Sequence, residues 1–243
     1  MRLWRSLAVN DVKSIRRDSL LVYVLFMPFL IVIMLRVLMP VADRFFAEQY
    51  GIDVNEYTAL ILSFFFVLQV PLIFGLVFGF LILDERDENT LLALRVTPLS
   101  MKVYMSYRMG SIFLFTLFYI LLLLPFTRVY RIELFIDTLL IVLLSGLFSL
   151  FVLLFLATFA SNKVEGLALM KGLGILFLGP IASYFITSNW QYMFGILPTY
   201  WPVKAFWEMW DGESYWFSLL IGGIYFTFLN WVMFKRFIKK TIA

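Results

Sequence analysis

The sequence predicts an all-α membrane protein with six transmembrane helices, and three observations lead to that prediction. Its 243 residues are 63% hydrophobic and only 15% charged, which is more apolar surface than a soluble domain can bury. Long charge-free segments recur along the chain, and about 20 mostly apolar residues suffice to cross a membrane as a helix. Lys and Arg concentrate between alternate apolar segments, as expected of a multi-pass protein.

The apolar segments define a single transmembrane domain over residues 1–243. Six spans are predicted, at about residues 20–39, 57–83, 108–127, 138–161, 167–188 and 214–234. Arg36 falls close to the end of the first span, where a long cationic side chain can reach the membrane interface. No A-x-A-like cleavage site follows the first apolar segment, so we expect it to remain as a span.

The distribution of cationic residues predicts that both termini are cytoplasmic. With that orientation, 15 of the 20 Lys and Arg residues lie in cytoplasmic segments, where positive charge in short loops is retained. The net charge of +4 expresses this bias, so we expect the lipid bilayer as a partner and no nucleic acid. The predicted location is the plasma membrane, specifically a prokaryotic inner or cytoplasmic membrane.

Residues 1–19 predict an amphipathic helix that lies along the cytoplasmic membrane surface. Its apolar side carries Leu3, Trp4, Leu7, Ala8, Val12 and Ile15, and its basic side carries Arg2, Arg5, Lys13, Arg16 and Arg17. Asp11 projects from the middle of the apolar side, which is costly against lipid but reasonable if that side partly meets protein. The simpler alternative is a basic flank that only sets the topology.

The second span contains polar and helix-bending residues near its middle. Gln69 needs an internal hydrogen-bond partner at that depth, and Pro71 releases a backbone carbonyl. Gly75 and Gly79 form a small-xxx-small pattern that allows close helix approach. Either this span faces a cavity or a second subunit, or a neighbouring span satisfies Gln69 and the glycines are ordinary packing positions.

The fifth span and the segment after it are irregular. Gly179 and Pro180 predict a bend or break at mid-depth, with a simple proline kink as the alternative. Residues 189–213 are rich in Trp and contain Pro198 and Pro202, which predicts short helices or a re-entrant turn at the outer interface. These aromatic residues form a membrane-interface belt or, alternatively, flank a substrate exit.

Motifs for catalysis and for cofactor binding are absent from the sequence. There is no G-x-x-x-x-G-K-[ST], H-E-x-x-H or G-x-S-x-G, and the chain has no Cys and no His. We therefore expect no catalytic residue, no metal site and no cofactor bound by this chain. No acidic residue lies deep in a predicted span, which argues against a proton-coupled transport mechanism. If the protein moves a solute, the energy enters from elsewhere.

The segment between the second and third spans, residues 84–100, reads DERDENTLLALRVTPLS. Its acidic start complements the positive end of a helix dipole, and Asn89 or Thr90 can act as the N-cap of a short helix. Leucines follow, and Pro98 ends the helix before the third span. A flexible linker would connect two spans equally well, so a capped helix with exposed leucines predicts that a soluble partner docks there.

This segment resembles the corresponding loop of type-2 ATP-binding-cassette (ABC) exporter permeases, whose pattern is E-x-E-x-G-T-L, further leucines and T-P-L-S. The matching residues are Glu85, Asp87 or Glu88, Thr90, Leu91, Leu94, Thr97, Pro98, Leu99 and Ser100. Asn89 replaces the usual glycine, although Asn also tolerates a left-handed conformation. Six spans, a surface helix at the start and a kinked aromatic segment before the last span are similar to the same family.

The resemblance implies the membrane subunit of an ATP-driven exporter of the drug or multidrug type. Two permease copies, or two related permeases, would form the pathway for a lipophilic or amphipathic drug, lipid or peptide, and ABC ATPase subunits would bind ATP and Mg. Residues 89–98 would be the coupling helix seated in the ATPase, with Leu91 and Leu94 as its buried contact. Asp84, Glu85, Arg86, Asp87 and Glu88 would offer the ATPase charge partners. The surface helix would contact the same ATPase, which would explain Asp11.

Two alternatives from other functional classes stay open. An ATP-independent channel or carrier would also have six spans, although the lack of deep charges argues against ion coupling. A membrane-embedded lipid-modifying enzyme would need polar catalytic groups near one interface. Glu208, Asp211 and Glu213 are the only dense candidates, and they have no His or Cys partner.

Overall fold

The computed structural model describes residues 2–90 and 100–242, with backbone alone at residues 2–8, 10, 20, 241 and 242. These residues form helices and connecting turns without a strand, and six helical segments are long and apolar enough to cross a membrane. The predicted all-α class and the number of spans are confirmed.

The chain begins with α1 (Arg2–Arg17), which Asp18 separates from α2 (Ser19–Tyr50), the first span. The second span, Val54–Asp87, is an irregular continuous helix. It consists of a 3-10 turn (Val54–Tyr57), α3 (Thr58–Leu62), a π-helical segment (Ser63–Gln69) and α4 (Val70–Asp87). The helix of the first span continues beyond the predicted limit at residue 39, with Pro28 and Pro40 inside it.

The third span is α5 (Met101–Leu123), extended by a 3-10 turn (Leu124–Thr127), and the fourth is α6 (Phe135–Phe159), preceded by a 3-10 turn (Ile132–Leu134). The fifth span consists of α7 (Lys163–Ile175) and α8 (Leu178–Tyr184). A 3-10 segment (Asn189–Ile196) and the short α9 (Tyr200–Trp210) lead to α10 (Trp216–Ile242), the sixth span.

Successive spans alternate in direction, so the connections gather at two ends of the bundle. We call the end with Asp18, Asp84, Lys163 and Lys240 the basic end. There Lys163 joins Asp18 to Asp84, and Lys240 donates to the carbonyl of Thr158. We call the other end the aromatic end. There the Arg131 guanidinium lies over the Trp210 ring.

The centre of the bundle is α4 packed against α6. Every residue from Val70 to Leu83 is buried, whereas the exposed large apolar side chains lie mainly on α2, α5, α7–α8 and α10. Gly75 and Gly79 permit this packing, because a Cβ at Gly75 would lie 2.5 Å from the Val152 Cβ and one at Gly79 would lie 2.7 Å from Leu156.

The aromatic segment is more deeply embedded than a belt at the outer interface. In α9, the side chains of Tyr200, Phe206 and Trp207 are buried, and the helix packs between the second, fourth and sixth spans. Trp190 in the preceding 3-10 segment is exposed, as a belt residue would be. Residues 189–213 therefore divide into an exposed part and a short helix enclosed by the bundle.

Candidate functional site

A buried ionic cluster joins three elements at the basic end. Its centre is Arg108 on α5, whose side chain is 1% exposed. The guanidinium forms ion pairs with Asp11 of α1, at 2.6 Å, and with Glu85 near the end of α4, and it donates to the Tyr104 hydroxyl at 3.1 Å. A buried charge is costly unless it is paired, so these partners keep Arg108 inside the protein.

Two tyrosines of α5 complete this cluster, which we call the Arg108 cluster: Asp11, Glu85, Tyr104, Tyr107 and Arg108. The Tyr104 hydroxyl donates to Glu85, and the Tyr107 hydroxyl donates to Asp11 at 3.0 Å. Tyr104, Tyr107 and Arg108 lie within about one helical turn, so one face of α5 contacts both carboxylates. The cluster therefore links α1, the second span and the third span.

Asp11 is the acidic residue that interrupts the apolar side of α1. Its partner is Arg108 of the same chain, so the expected ATPase contact is not needed to explain it. Burial raises the pKa of the Asp11 carboxyl above its ordinary value, and the opposing effects of Arg108 and Tyr107 do not cancel that increase. Asp11 thus holds α1 against the bundle at an appreciable desolvation cost.

Arg86 connects the second span to the end of the fourth. Its guanidinium donates to the carbonyl of Ala157 at 2.7 Å and to the carbonyl of Ala160. Ala157 lies in the last turn of α6 and Ala160 directly after it, where backbone acceptors lack helical partners and a cation complements the helix dipole. Arg86 therefore caps α6 and fixes α4 beside it.

A second ionic group surrounds Lys163 at the start of α7. The ammonium lies 2.5 Å from Asp18, between α1 and α2, and 2.9 Å from Asp84 of α4. The Lys163 backbone N–H donates to Asp87 at 3.1 Å. These groups are partly exposed, so each pair contributes less than a buried one. Together they join the first, second and fifth spans.

The sequence predicted Asp84 to Glu88 as charge partners for an ATPase, and four of these five residues contact this chain itself. Asp84, Glu85, Arg86 and Asp87 bind the neighbouring elements described above, whereas Glu88 is exposed. Asp84 and Glu88 also line an open polar cavity of about 420 Å³ between α1, α4 and α7, together with Ser14, Arg17, Asp18 and Lys163.

Asn89 adopts a left-handed conformation with φ of 58°, one residue beyond the C-cap Glu88 of α4. This is the backbone conformation that favours glycine after a helix, and Asn is the usual second choice. It accounts for Asn89 at the position where the resembling family has glycine. Thr90 is exposed, and Ser100 caps α5 by accepting from the Val103 N–H at 3.3 Å. The predicted coupling residues Leu91, Leu94, Thr97, Pro98 and Leu99 lie outside the described residues.

The predicted pathway or kink residues lie at two separate places in the bundle. Gln69 is half-buried at the end of the π-helical segment, directly before α4, and Pro71 lies in the first turn of α4. Gly75 and Gly79 contact α6 inside the bundle. Gly179 and Pro180 are buried in α8, just after the break between α7 and α8. The Thr199 hydroxyl donates to the Leu176 carbonyl at this break, at 2.6 Å.

Sequence reasoning missed the centre of the ionic site. Arg108, Lys163, Tyr104 and Tyr107 were not predicted as site residues, and the two cations counted only as positive charge on the cytoplasmic side. One signal was available, because Arg108 lies seven residues after Met101, the first residue of α5, within a predominantly apolar span. Within the described ranges, no group of three or more acidic side chains could hold a metal ion.

A family described as "Fluoroquinolones export permease protein Rv2686c-like" matches residues 11–234. The chain belongs to this family. It is 35% identical over 232 residues to Fluoroquinolones export permease protein MT2760 of Mycobacterium tuberculosis CDC 1551 / Oshkosh and to Rv2686c of strain H37Rv, covering 95% of this chain and 92% of each relative. No solved structure gives a significant match.

These comparisons confirm the resemblance to ABC permeases of the drug-export type. With six spans and these relatives, the chain is a multi-pass permease of the plasma membrane. Its ionic site at the basic end therefore belongs to a permease, and it connects α1 with the second to fifth spans.

Proposed function

We propose that this chain is the membrane subunit of an ATP-driven exporter of fluoroquinolone-type drugs. The observation that carries the proposal is its 35% identity, over nearly its full length, to two fluoroquinolones export permeases. Fluoroquinolones are aromatic and amphipathic, which fits the expected lipophilic or amphipathic substrate. ATP and Mg would bind to separate ATPase subunits.

Drug uptake into inside-out membrane vesicles tests this function. Vesicles from cells that natively produce the chain should accumulate a radiolabelled fluoroquinolone when ATP is added, and vesicles from a strain lacking its gene should not. A non-hydrolysable ATP analogue is the matched control for nucleotide binding without hydrolysis. Equal accumulation with and without the gene would exclude this substrate, and accumulation without any nucleotide would favour an ATP-independent carrier.

We further propose that the ATPase acts on residues 84–100. The Arg108 cluster, Arg86 and Lys163 support this, because they connect the start of this segment to α1, α5, α6 and α7. A force applied at the segment therefore reaches α1, Asp18 directly before the first span, and the second to fifth spans through ionic contacts and hydrogen bonds. Asp84, Glu85 and Asp87 then transmit movement within the permease, while the exposed Glu88 contacts the ATPase.

The double variant Leu91→Asp/Leu94→Asp tests this docking. It should lose ATPase co-purification and ATP-dependent drug uptake, because two carboxylates cannot be buried in an apolar groove. The double variant Ile52→Asp/Ile132→Asp, at exposed apolar positions in the connections of the aromatic end, controls for general damage and should retain the ATPase. If Leu91→Asp/Leu94→Asp kept both the ATPase and full uptake, residues 89–98 would not be the coupling helix.

We also propose that two permease copies, identical or related, form the pathway. The fifth span supports a second copy because its outer face combines exposed apolar residues, such as Val164 and Ile175, with Gly172, where an added Cβ would meet nothing within 4 Å. Such a face allows close approach of another helix. Cross-linking of Gly172→Cys in membranes should yield a dimer, and no cross-link under oxidising conditions would argue against this face.

A further inference from the structure

The second span changes helix type at its middle. Between α3 and α4, Ser63–Gln69 is π-helical, and the Val70 N–H bonds to the Phe65 carbonyl five residues earlier. A π-helical segment of seven residues is unusual, since π-helices occur mostly as single turns and often at functional sites. Pro71, one residue beyond Val70, provides a cause. It has no N–H, and in an α-helix its ring would clash with the Val67 carbonyl.

The two sides of this segment are held by different contacts. On the basic side, α4 is buried, and Gly75 and Gly79 lie too close to α6 for α4 to rotate about its axis. On the aromatic side, the Trp207 indole of α9 donates to the Ser63 hydroxyl at 2.7 Å, and Ser63 donates to the Leu60 carbonyl. Ser63 and Trp207 are both buried, so α9 is attached where the π-helical segment begins.

The helix register determines which side chains of the aromatic half are buried. In the structure Leu60, Ile61, Phe64, Phe65 and Gln69 are half-buried, while Thr58, Ala59 and Leu62 are buried. In a continuous α-helix, Thr58 would lie about three full turns before Gln69 and share its face, whereas Leu60 would lie about two and a half turns before it and point the opposite way. A change from π to α would therefore exchange the burial of positions 58 and 60, so that position 58 becomes the more exposed of the two.

We propose that Ser63–Gln69 is a register switch, and that its change from π to α rotates residues 54–62 and displaces α9 during transport. This inference rests on the proposed export function, because transport gives the rotation its role. With α4 fixed against α6, a shift in register must appear in the aromatic half. The hydrogen bond between Trp207 and Ser63 then carries the rotation into α9, which closes the aromatic end between the second, fourth and sixth spans.

Cysteine reactivity measures the register directly, because the chain contains no native Cys. Thr58→Cys and Leu60→Cys are introduced singly into the full chain in membranes, and each is treated with a small membrane-permeant methanethiosulfonate and analysed by intact mass. In the π register, Cys at position 60 should react faster than Cys at position 58. The opposite order in an otherwise unchanged chain would overturn the assigned register.

Pro71→Ala supplies the missing N–H and removes the ring, so it should favour the α register. We expect it to invert the order of reaction, with position 58 becoming faster than position 60. Pro71→Ser restores the N–H with a different side chain and should act in the same way if Pro71→Ala folds poorly. Pro40→Ala, inside α2, is the matched control and should leave the order unchanged. If neither Pro71 variant inverts the order, Pro71 does not hold the π register and the proposal is wrong.

Drug uptake by the same vesicles separates the switch from the proposed function. If the parent chain does not accumulate drug, the export function fails, while the reaction order still reports the register. If the parent exports drug and Pro71→Ala inverts the order yet exports equally, the register has no role in transport. Trp207→Phe, which keeps an aromatic ring but removes the N–H, should reduce export and leave the order unchanged. Full export by Trp207→Phe would exclude the connection to α9.

Discussion

The two halves of the second span, one on each side of Gln69, are built differently. The basic half, Val70–Asp87, is a regular buried helix that ends in ion pairs to α5 and α7. The aromatic half, Val54–Gln69, combines 3-10, α and π segments, and a few hydrogen bonds connect it to α8, α9 and α2. One continuous helix therefore contains a part that is fixed to its neighbours and a part that can change register. This difference suits a transporter in which force enters at one end and a closure is released at the other.

Loss of Arg108 should give the largest effect on the basic half. Arg108→Met leaves Asp11 and Glu85 buried without their cation, and breaking a buried ion pair from one side costs about 3–5 kcal/mol. We expect a lower unfolding temperature of the purified chain, or loss of the chain from the membrane. Arg16→Met, at an exposed position of α1, should change stability by less than about 0.5 kcal/mol. Equal stability of the two variants would show that the Arg108 cluster does not hold the basic half.

A pair of glycine variants should give the next effect, with opposite signs. Gly75→Ala places a Cβ against Val152, and such overpacking costs about 1–3 kcal/mol. Gly172→Ala on the open face of α7 should stabilise that helix by about 0.5–1 kcal/mol, because alanine loses less conformational freedom on folding. Thermal unfolding of the two variants compares them directly. A stabilising Gly75→Ala would mean that α4 and α6 are not closely packed.

The pH dependence of stability should be the smallest of these effects, and Asp11→Asn should remove it. Because burial raises the pKa of Asp11, the folded chain keeps this proton above pH 3.8, where an unfolded chain releases it. The stability that this group contributes is present at low pH and falls as the pH rises from 3.8 through the folded pKa. Asp11→Asn cannot release a proton, so unfolding temperatures of the variant should lack this decline. A decline of equal size in both proteins would assign it to another group.

The fold followed from sequence because its determinants are local. Hydrophobic segments specify the spans of a membrane protein, and the family's loop pattern pointed to residues 84–100. The Arg108 cluster did not follow, since Asp11, Glu85 and Arg108 are far apart in sequence and meet only when three elements pack. Asp11 was visible as an anomaly on α1, but its partner was not. Pro71 predicted a disturbed helix. The π register also depends on the close packing of Gly75 and Gly79 against α6 and on the hydrogen bond from Trp207 to Ser63.

The central claim is that the two halves of the second span have separate tasks: one receives the force of the ATPase and the other converts it into opening. The most direct test is the amount of ATP hydrolysed per drug molecule transported by Pro71→Ala, measured in vesicles that contain the assembled transporter. ATP hydrolysis should stay close to that of the parent while drug uptake falls sharply, because Pro71 lies away from the ATPase-facing segment. Unchanged uptake, or a parallel loss of hydrolysis and uptake, would contradict the account.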